Sequence, residues 1–182
     1  MQRRTMTIAA LGIGAGVLVA CGQGGQGPRG AAAQPGQQPG QKTATIELER
    51  GGSITIQLFP DVAPKTVENF EKKANAGFYN GLTFHRVEDW VVQGGDPAGN
   101  GTGGNQTLPT EVSEKPFGVG AVGVARRAQP ADISNDAQFF ICTKDAAWLN
   151  KQYTNFGQVT AGMDVVQSIE RGDKIKQITV RG

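Results

Sequence analysis

The residues best suited to chemistry in this 182-residue chain are aromatic, arginine and glutamine side chains that recur in four short segments. The segments are Phe84-His85-Arg86, residues 90–97 (WVVQGGDP), residues 138–141 (QFFI) and Trp148-Leu149. They contain no obvious nucleophile, general base or set of metal ligands. Aromatic rings supply apolar surface, and guanidinium and amide groups supply directed hydrogen-bond donors. The combination predicts a surface that binds an apolar group and donates hydrogen bonds, and it does not indicate hydrolysis.

Other motifs that could carry chemistry are incomplete. His85 is the only histidine, which excludes a His-rich zinc site. Residues 99–104 spell G-x-G-x-x-G, but the following residues do not open the helix that a dinucleotide site requires. A calcium loop starting at Asp96 has Ala98 at a ligand position and Thr107 where the closing Glu should stand. We therefore predict no metal and no cofactor.

A nucleophile pair of Cys142 with His85 is formally possible. Cys142 lies in an apolar segment, however, and no nearby cation in the sequence would lower its pKa. An apolar strand is the usual location of a buried and unreactive thiol.

The secondary-structure elements predicted to position these residues are mainly short β-strands. Eight strands are predicted, at 45–49, 53–58, 83–87, 90–93, 121–125, 139–143, 155–159 and 175–180. Two helices are predicted, at 64–76 after Pro64 and at 163–170 before Gly172. Eight short strands in about 140 residues, with two helices far apart, predict a mainly β domain that closes into an antiparallel barrel with the helices attached.

Charge and glycine are distributed unevenly along the chain. The formal net charge is +2, but residues 1–41 contain Arg3, Arg4 and Arg29 and no acidic residue. The remainder therefore carries a net charge of −1. A nucleic-acid-binding module would concentrate its basic residues in the folded domain. No nucleic-acid partner is predicted.

The first 42 residues predict export and attachment to a membrane. Two arginines and an uncharged run make residues 1–20 a secretory signal, and Leu18-Val19-Ala20-Cys21 resembles the box at which bacterial lipoproteins are lipidated on cysteine. Residues 21–42 follow as a Gly/Gln/Pro-rich tether without a large apolar residue, so it cannot offset the entropy of ordering. We expect Cys21 to carry a lipid anchor and residues 43–182 to form an extracytoplasmic domain.

The ordered blocks of residues 43–181 resemble the cyclophilin family of peptidyl-prolyl cis-trans isomerases. The similar blocks are residues 63–70 (APKTVENF), 84–87 (FHRV), 93–97 (QGGDP), 101–104 (GTGG), 138–141 (QFFI), 148–149 (WL) and 156–159 (FGQV). The resemblance implies a closed eight-stranded antiparallel barrel capped by two α-helices, with a proline-binding site on its outer face.

The resemblance also implies roles for individual residues. Arg86 corresponds to the catalytic arginine, Gln93 to the glutamine that orients the substrate, and Phe140 to the base of the proline pocket. The residues implied in substrate binding are Trp90, Val91, Leu149 and Tyr153 around the pocket, Ala125, Arg126 and Gln138 along the groove before proline, and Trp148 at the rim. The Arg86–Gln93 interval is one residue shorter than is common in the family, and Trp90 and Val91 replace the usual Phe and Met.

These observations predict a monomeric, membrane-tethered prolyl isomerase that acts on proline-containing exported or envelope proteins. The alternative is a peptide-binding module or chaperone of the same fold with little catalysis. Arg86, Gln93, Gln138 and Phe140 together favour the enzyme, because a binding module has less need of the arginine.

Overall fold

The structure is a computed structural model that describes residues 41–104, 106–126 and 132–182. The predicted signal, Cys21 and the tether up to residue 40 lie outside the described residues. The strands are β1 (Thr43–Leu48), β2 (Ser53–Leu58), β3 (Phe84–Glu88), β4 (Val91–Gly94), β5 (Thr107–Pro109), β6 (Ala121–Arg126), β7 (Ile133–Cys142), β8 (Asn155–Ala161) and β9 (Ile175–Arg181). The helices are α1 (Pro64–Asn75), α2 (Met163–Gln167) and a 3₁₀ turn (Ala147–Leu149). None of the helices in these ranges is long and apolar enough to cross a membrane.

The strands form one antiparallel sheet that curls into an open half-barrel. Their order is β3-β4-β7-β6-β8-β2-β1-β9, and the short β5 pairs only with β7. The prediction of a mainly β antiparallel fold with two helices is confirmed. The prediction of a closed eight-stranded barrel is wrong, because the sheet is open and the described residues form a ninth strand, β5.

The barrel stays open because the two edge strands, β3 and β9, lie side by side only where each begins. A single antiparallel bridge joins Thr83, just before β3, to Lys174, just before β9. Because the two strands run in opposite directions from this bridge, β3 lies opposite the turn that precedes β9. Phe84 N donates to Asp173 O, and Gly172 N donates to Phe84 O. Among the described residues, no strand pairing beyond this bridge links the two edge strands.

Alternating side chains on the first hairpin build the main core. Ile46 of β1 pairs with Ile54 of β2, and both are fully buried, as are the inward-facing residues on either side of them. Period-two alternation of this kind places one face of each strand against the interior. The main core therefore lies on the concave face of the sheet, and α1 packs there against β7 and β9.

The helix α1 begins and packs as its sequence predicts. Pro64 occupies the first turn, and the face that carries Val67, Phe70 and Ala74 is buried. The carboxylate of Glu111, which follows β5, accepts hydrogen bonds from the backbone N–H groups of Lys65 at 3.1 Å and Thr66 at 2.9 Å. These bonds satisfy donors that a helix N-terminus otherwise leaves unpaired.

The helix α2 is shorter than predicted. It ends at Gln167 instead of Glu170, and the Ser168 hydroxyl donates to the Val165 carbonyl at 2.8 Å. A serine side chain that competes for a backbone carbonyl is a common way to end a helix.

The central strand β7 has a different core on each face. Phe139 and Ile141 point into the main core. Phe140 and Cys142 point the other way, into a smaller cluster that also contains Val91, Phe117, Ala121, Ala146 and Leu149. We call this smaller group the groove-side cluster, because it lies behind the candidate site.

Candidate active site

An open groove of about 620 Å³ runs across the face of the sheet opposite to the main core. Eight of the eleven predicted substrate-contacting residues line it: Arg86, Gln93, Phe140, Trp90, Ala125, Arg126, Leu149 and Tyr153. They come from four strands, the turn between β3 and β4, the 3₁₀ turn and the loop that follows it. Residues up to 67 positions apart in the sequence thus lie together, as the resemblance implies.

The β3–β4 hairpin places Arg86 beside Gln93. Its turn consists of only two residues, Asp89 and Trp90, which accounts for the short Arg86–Gln93 interval. The pairing register shifts between Phe84 and Arg86 and then sets Arg86 directly opposite Gln93. Such bulges frequently redirect side chains beside active sites.

The Arg86 guanidinium is held on two sides. Its Nε and Nη2 atoms donate to the two carboxylate oxygens of Glu88 at 2.8 and 3.1 Å. Its Nη1 atom donates to Gln93 Oε1 at 3.1 Å, and its centre lies 5.3 Å from the Trp90 ring. A guanidinium has five N–H donors, so donors remain for a ligand in the groove.

Gln93 belongs to a directed chain of amide hydrogen bonds. Its Nε2 donates to Gln138 Oε1 at 2.9 Å, and Gln138 Nε2 donates to the carbonyls of Gly103 at 2.8 Å and Gly101 at 3.1 Å. Each amide accepts from one side and donates to the other, which fixes the orientation of both. The carbonyl oxygen of Gln93 is therefore the end of this chain that faces Arg86.

The glycine-rich loop at 99–104 supports this amide chain and shows no helix that could hold a nucleotide. Asp96 Oδ1 accepts from Ala98 N at 3.0 Å, and Oδ2 accepts from Asn100 N at 2.8 Å and Gly101 N at 2.6 Å. Burial raises the pKa of Asp96, but these backbone hydrogen bonds outweigh burial and hold the pKa below its usual range. Asp96 is therefore an anionic support for the loop.

Phe140 forms the base of the pocket. Its side chain is almost completely buried, stacks on Phe117 with ring centroids 5.7 Å apart, and meets the Tyr153 ring edge-on at 6.1 Å. Leu149 of the 3₁₀ turn packs in the same cluster. The arrangement leaves an apolar recess beside the Arg86 guanidinium.

Three predicted site residues do not line the groove. Val91 is fully buried in the groove-side cluster, so it supports the pocket from behind. Gln138 is buried in the amide chain described above. Trp148 is 57% exposed at the rim, and its ring meets that of Trp90 at 5.3 Å.

Arg126 lines the groove beside Tyr153. Its Nη1 donates to the Gln152 carbonyl at 2.8 Å, and its guanidinium lies 4.2 Å from the Tyr153 ring centroid. Arg126 and the neighbouring Ala125 both line the groove; the resemblance implies that the part of the substrate before proline binds beside them.

Six further residues line the groove without having been predicted as site residues: His85, Val87, Glu88, Asn100, Gly101 and Arg171. Glu88 has the closest contacts with a predicted catalytic group. Its position two residues after Arg86 on a strand was the available signal, because residues i and i+2 share a face. Burial lowers the pKa of His85, the nearby arginines act in the same direction and Asp96 opposes them, so the imidazole is neutral at pH 7.

None of the described residues that line the groove is a cysteine, serine, threonine or lysine, the usual nucleophiles of covalent catalysis. Burial, assisted by Asp145, raises the pKa of Cys142 to about 12. This thiol is packed in the groove-side cluster with Phe140 and does not line the groove. Within the described ranges, no three His, Cys, Asp or Glu side chains are grouped to hold a metal ion. The arrangement can bind an apolar ring and donate hydrogen bonds beside it.

Comparison with known proteins identifies relatives across the whole described domain. The sequence model of the family "Cyclophilin type peptidyl-prolyl cis-trans isomerase/CLD" matches residues 43–181. Peptidyl-prolyl cis-trans isomerase B of Bacillus subtilis is 43% identical over 143 residues, which cover 78% of this chain and 99% of the relative. A probable peptidyl-prolyl cis-trans isomerase of Brucella suis is 39% identical over 155 residues and covers 78% of each chain.

Solved structures agree with the sequence comparison. A crystal structure of a cyclophilin-type peptidyl-prolyl cis-trans isomerase of Cryptosporidium parvum superimposes with a TM-score of 0.71 at 25% identity. The superposition covers 78% of this chain and 98% of that protein. The curled sheet with two helices is therefore similar to a known fold.

Proposed function

The chain belongs to the cyclophilin family of peptidyl-prolyl cis-trans isomerases, and from this premise we propose that Arg86 stabilises the twisted X–Pro amide while the Phe140 pocket holds the proline ring. The isomerase activity follows from the family and the named relatives. The proposal concerns the residues that perform it. The observation that carries the proposal is the Arg86 guanidinium, oriented by Gln93 beside the apolar recess over Phe140.

The barrier to be lowered arises from amide resonance. Rotation about a peptide bond costs about 18–20 kcal/mol, and exchange at X–Pro takes tens to hundreds of seconds at about 25 °C. No bond has to be cleaved. In the twisted amide the nitrogen regains its lone pair, which makes it a hydrogen-bond acceptor that the planar ground state lacks.

Arg86 would donate to this nitrogen. A donor that finds its acceptor only in the transition state accelerates the reaction, because catalysis requires stronger binding there than in the ground state. Arg86 retains N–H groups after its bonds to Glu88 and Gln93. Its orientation is set before the substrate arrives, so little reorganisation is needed.

The remaining groove residues would hold the substrate on either side of the rotating bond. Phe140, Leu149 and Tyr153 offer apolar surface that fits a pyrrolidine ring. Gln93 would orient the carbonyl of the preceding residue, and Ala125 and Arg126 would line the path of the chain before proline. An apolar pocket also disfavours the charge-separated amide resonance form, which weakens the double-bond character of the C–N bond.

Substitution of Arg86 tests the proposal. We expect Arg86→Ala to lower kcat/KM on an X–Pro peptide by about 100- to 1,000-fold, as the loss of one oriented donor does elsewhere. Arg86→Lys should also be impaired, because lysine lacks the planar fork. Arg50→Ala is the matched control, since Arg50 pairs with Asp173 outside the groove. Activity of Arg86→Ala equal to the wild-type value would refute the role of Arg86.

We propose that the domain acts outside the cytoplasm on exported or envelope proteins. The support is in the sequence: an export signal at residues 1–20, the lipidation box ending in Cys21 and the tether that follows it. A lipid at Cys21 would hold the domain near a membrane, within reach of newly translocated polypeptides. The enzyme is proposed to act as a monomer, which sedimentation of the purified domain would test.

A cysteine substitution tests the anchor. We expect Cys21→Ser to move from the membrane to the soluble fraction of cells and to lose incorporation of a labelled fatty acid. The control is Cys142→Ala, which removes the only other thiol of the chain and should leave both properties unchanged. Membrane retention of the Cys21→Ser protein would contradict the proposed anchor.

A further inference from the structure

We propose that Glu88 is a positioning residue, which orients the Arg86 guanidinium for catalysis and thereby raises kcat. The inference rests on the proposed role of Arg86. It concerns a residue that was not predicted as part of the site, although it lines the groove beside Arg86. Glu88 follows Arg86 by two residues on β3, so both side chains leave the same face of the strand.

The contact between the two side chains is bidentate. Arg86 Nε lies 2.8 Å from Glu88 Oε1, and Arg86 Nη2 lies 3.1 Å from Glu88 Oε2. Two parallel bonds between a guanidinium and a carboxylate fix the plane of the guanidinium as well as its position. A single bond, such as the one to Gln93, leaves rotation about its axis free.

Glu88 and Gln93 together leave a defined pair of donors. Glu88 takes the Nε hydrogen and one Nη2 hydrogen, and Gln93 takes one Nη1 hydrogen. Of the five N–H groups, one on Nη1 and one on Nη2 remain for the substrate. Without Glu88, four donors would be available and the guanidinium plane could rotate about the bond to Gln93, so the productive geometry would be one arrangement among several.

The same carboxylate also holds Trp90. The indole Nε1 donates to Glu88 Oε2 at 3.1 Å, while the Trp90 ring lies 5.3 Å from the Arg86 guanidinium. Trp90 stands at the turn of the hairpin and lines the groove. Glu88 therefore connects the proposed catalytic group with one wall of the pocket, which is why the short two-residue turn can present a tryptophan there.

We expect the contribution of Glu88 to appear in the rate and not in stability. The Arg86 and Glu88 side chains are 41% and 47% exposed, and ion pairs at such exposure contribute little to folding. Positioning acts differently, because a small displacement of a reacting group lowers the rate steeply. We propose that Glu88 acts through Arg86 and not directly on the substrate, so kcat should fall while KM stays near its wild-type value.

Titration of Glu88 gives the proposal a pH signature. Hydrogen bonds from Arg86 lower the pKa of Glu88, with further help from the Arg86 charge and the Trp90 N–H, and the neighbouring Asp89 opposes them. Asp89 is itself paired with Lys144 at 3.0 Å. Above its pKa Glu88 is charged and holds Arg86, and as pH falls through the pKa that contact is lost. Wild-type kcat should therefore decrease at acid pH.

The test compares Glu88→Gln with Asp89→Asn in a prolyl isomerisation assay on one X–Pro peptide. Glutamine keeps the size of glutamate but offers only one acceptor and brings an NH₂ group toward the Arg86 donors. We expect Glu88→Gln to lower kcat by about tenfold, to leave KM unchanged and to lack the acidic decrease of the wild type. Asp89→Asn removes a neighbouring carboxylate of the same turn and should leave kcat and KM unchanged. It should keep the acidic decrease but move it to lower pH, because Asp89 no longer raises the pKa of Glu88.

The double variant separates this proposal from the role of Arg86. In an Arg86→Ala background, Glu88→Gln should have no further effect, since the two residues act as one unit. An Arg86→Ala variant with wild-type kcat would refute the role of Arg86 itself. A large loss in Arg86→Ala combined with wild-type kcat and pH profile in Glu88→Gln would overturn only the positioning role. A change confined to KM, or a faster Glu88→Gln enzyme, would overturn that role as well.

Discussion

Phe139 and Phe140 are neighbours on β7 with nearly equal burial, yet they belong to two different regions of the molecule. Phe139 lies in the main core, where Phe70, Tyr79 and Phe84 all meet its ring edge-on at 5.7–6.3 Å. Phe140 lies in the groove-side cluster, stacked on Phe117. One ring is enclosed by protein on every side, and the other has the groove beside it.

The difference shows how one strand can serve stability and function with adjacent residues. The main core unites the sheet with the helices, whereas the groove-side cluster is small and open on one side. A ring at its surface is held rigidly by its neighbours but keeps a face available for a ligand. Burial alone therefore does not distinguish a structural phenylalanine from one that forms a binding pocket.

Alanine substitution at the two positions is expected to give the largest effects. Phe139→Ala should lower the free energy of unfolding by about 3–5 kcal/mol, because the enclosed site leaves a cavity. Phe140→Ala should cost less, about 2 kcal/mol, because one side of the ring already lacks protein contacts. Urea unfolding measures both changes.

The loss of activity should be larger for Phe140→Ala than for Phe139→Ala, which is the reverse of the order expected for stability. At a temperature where both variants are folded, we expect Phe140→Ala to lose about 100-fold in kcat/KM and Phe139→Ala to stay close to wild type. Comparable activity losses in the two variants would mean that the two faces of β7 are not functionally separate.

Substitution of two glycines allows the same comparison between the main core and the groove-side cluster, because an added Cβ overpacks the residues around it. A Cβ on Gly157 would lie 2.8 Å from Ile56 Cγ2 in the main core, and a Cβ on Gly123 would collide with the Phe140 ring and lie 2.7 Å from Phe117 Cε1. We expect Gly157→Ala and Gly123→Ala each to destabilise the domain by about 1–3 kcal/mol in thermal unfolding.

Only the Gly123 substitution should also affect catalysis. Because Phe117 and Tyr153 confine Phe140 on its other sides, a methyl group at Gly123 would push the ring toward the groove. We expect kcat/KM of Gly123→Ala to fall about tenfold, while Gly157→Ala retains wild-type activity per folded molecule. An unchanged Gly123→Ala enzyme would show that the pocket base has room to move.

Much of the fold was predictable because local patterns determine it. The alternation in β1 and β2 and the apolar face of α1 follow from residue types a few positions apart. The first half of β7 was missed because its residues are polar. Asn135 and Asp136 are nonetheless buried, since Gly103 and Lys73, distant in sequence, satisfy them.

The site was predictable where its residues recur in ordered blocks, and less so where geometry depends on a turn. Arg86, Gln93 and Phe140 meet at one groove as expected. Val91, just after the two-residue turn at Asp89-Trp90, is buried behind the pocket, and Glu88, just before the turn, bonds to Arg86 on the same strand. A charged residue at a strand end is usually solvated, so the sequence signal for Glu88, its position two residues after Arg86 on one face of a strand, was weak.

The smallest expected effects concern the next pair along β7 and show where the site ends. Ile141 faces the main core, Cys142 belongs with Phe140 to the groove-side cluster, and Ile141 and Cys142 are both fully buried. Ile141→Val and Cys142→Ala each remove one small group and should cost about 1 kcal/mol of stability in urea unfolding. Because burial raises the pKa of Cys142 to about 12, its thiol is uncharged at every pH at which the enzyme would be assayed.

Neither substitution should therefore change kcat/KM by more than about twofold, as the isomerisation assay with the same X–Pro peptide would measure. A loss of activity in Cys142→Ala without one in Ile141→Val would extend the functional region from Phe140 to Cys142. The whole groove-side cluster, and not only its surface ring, would then set the shape of the pocket.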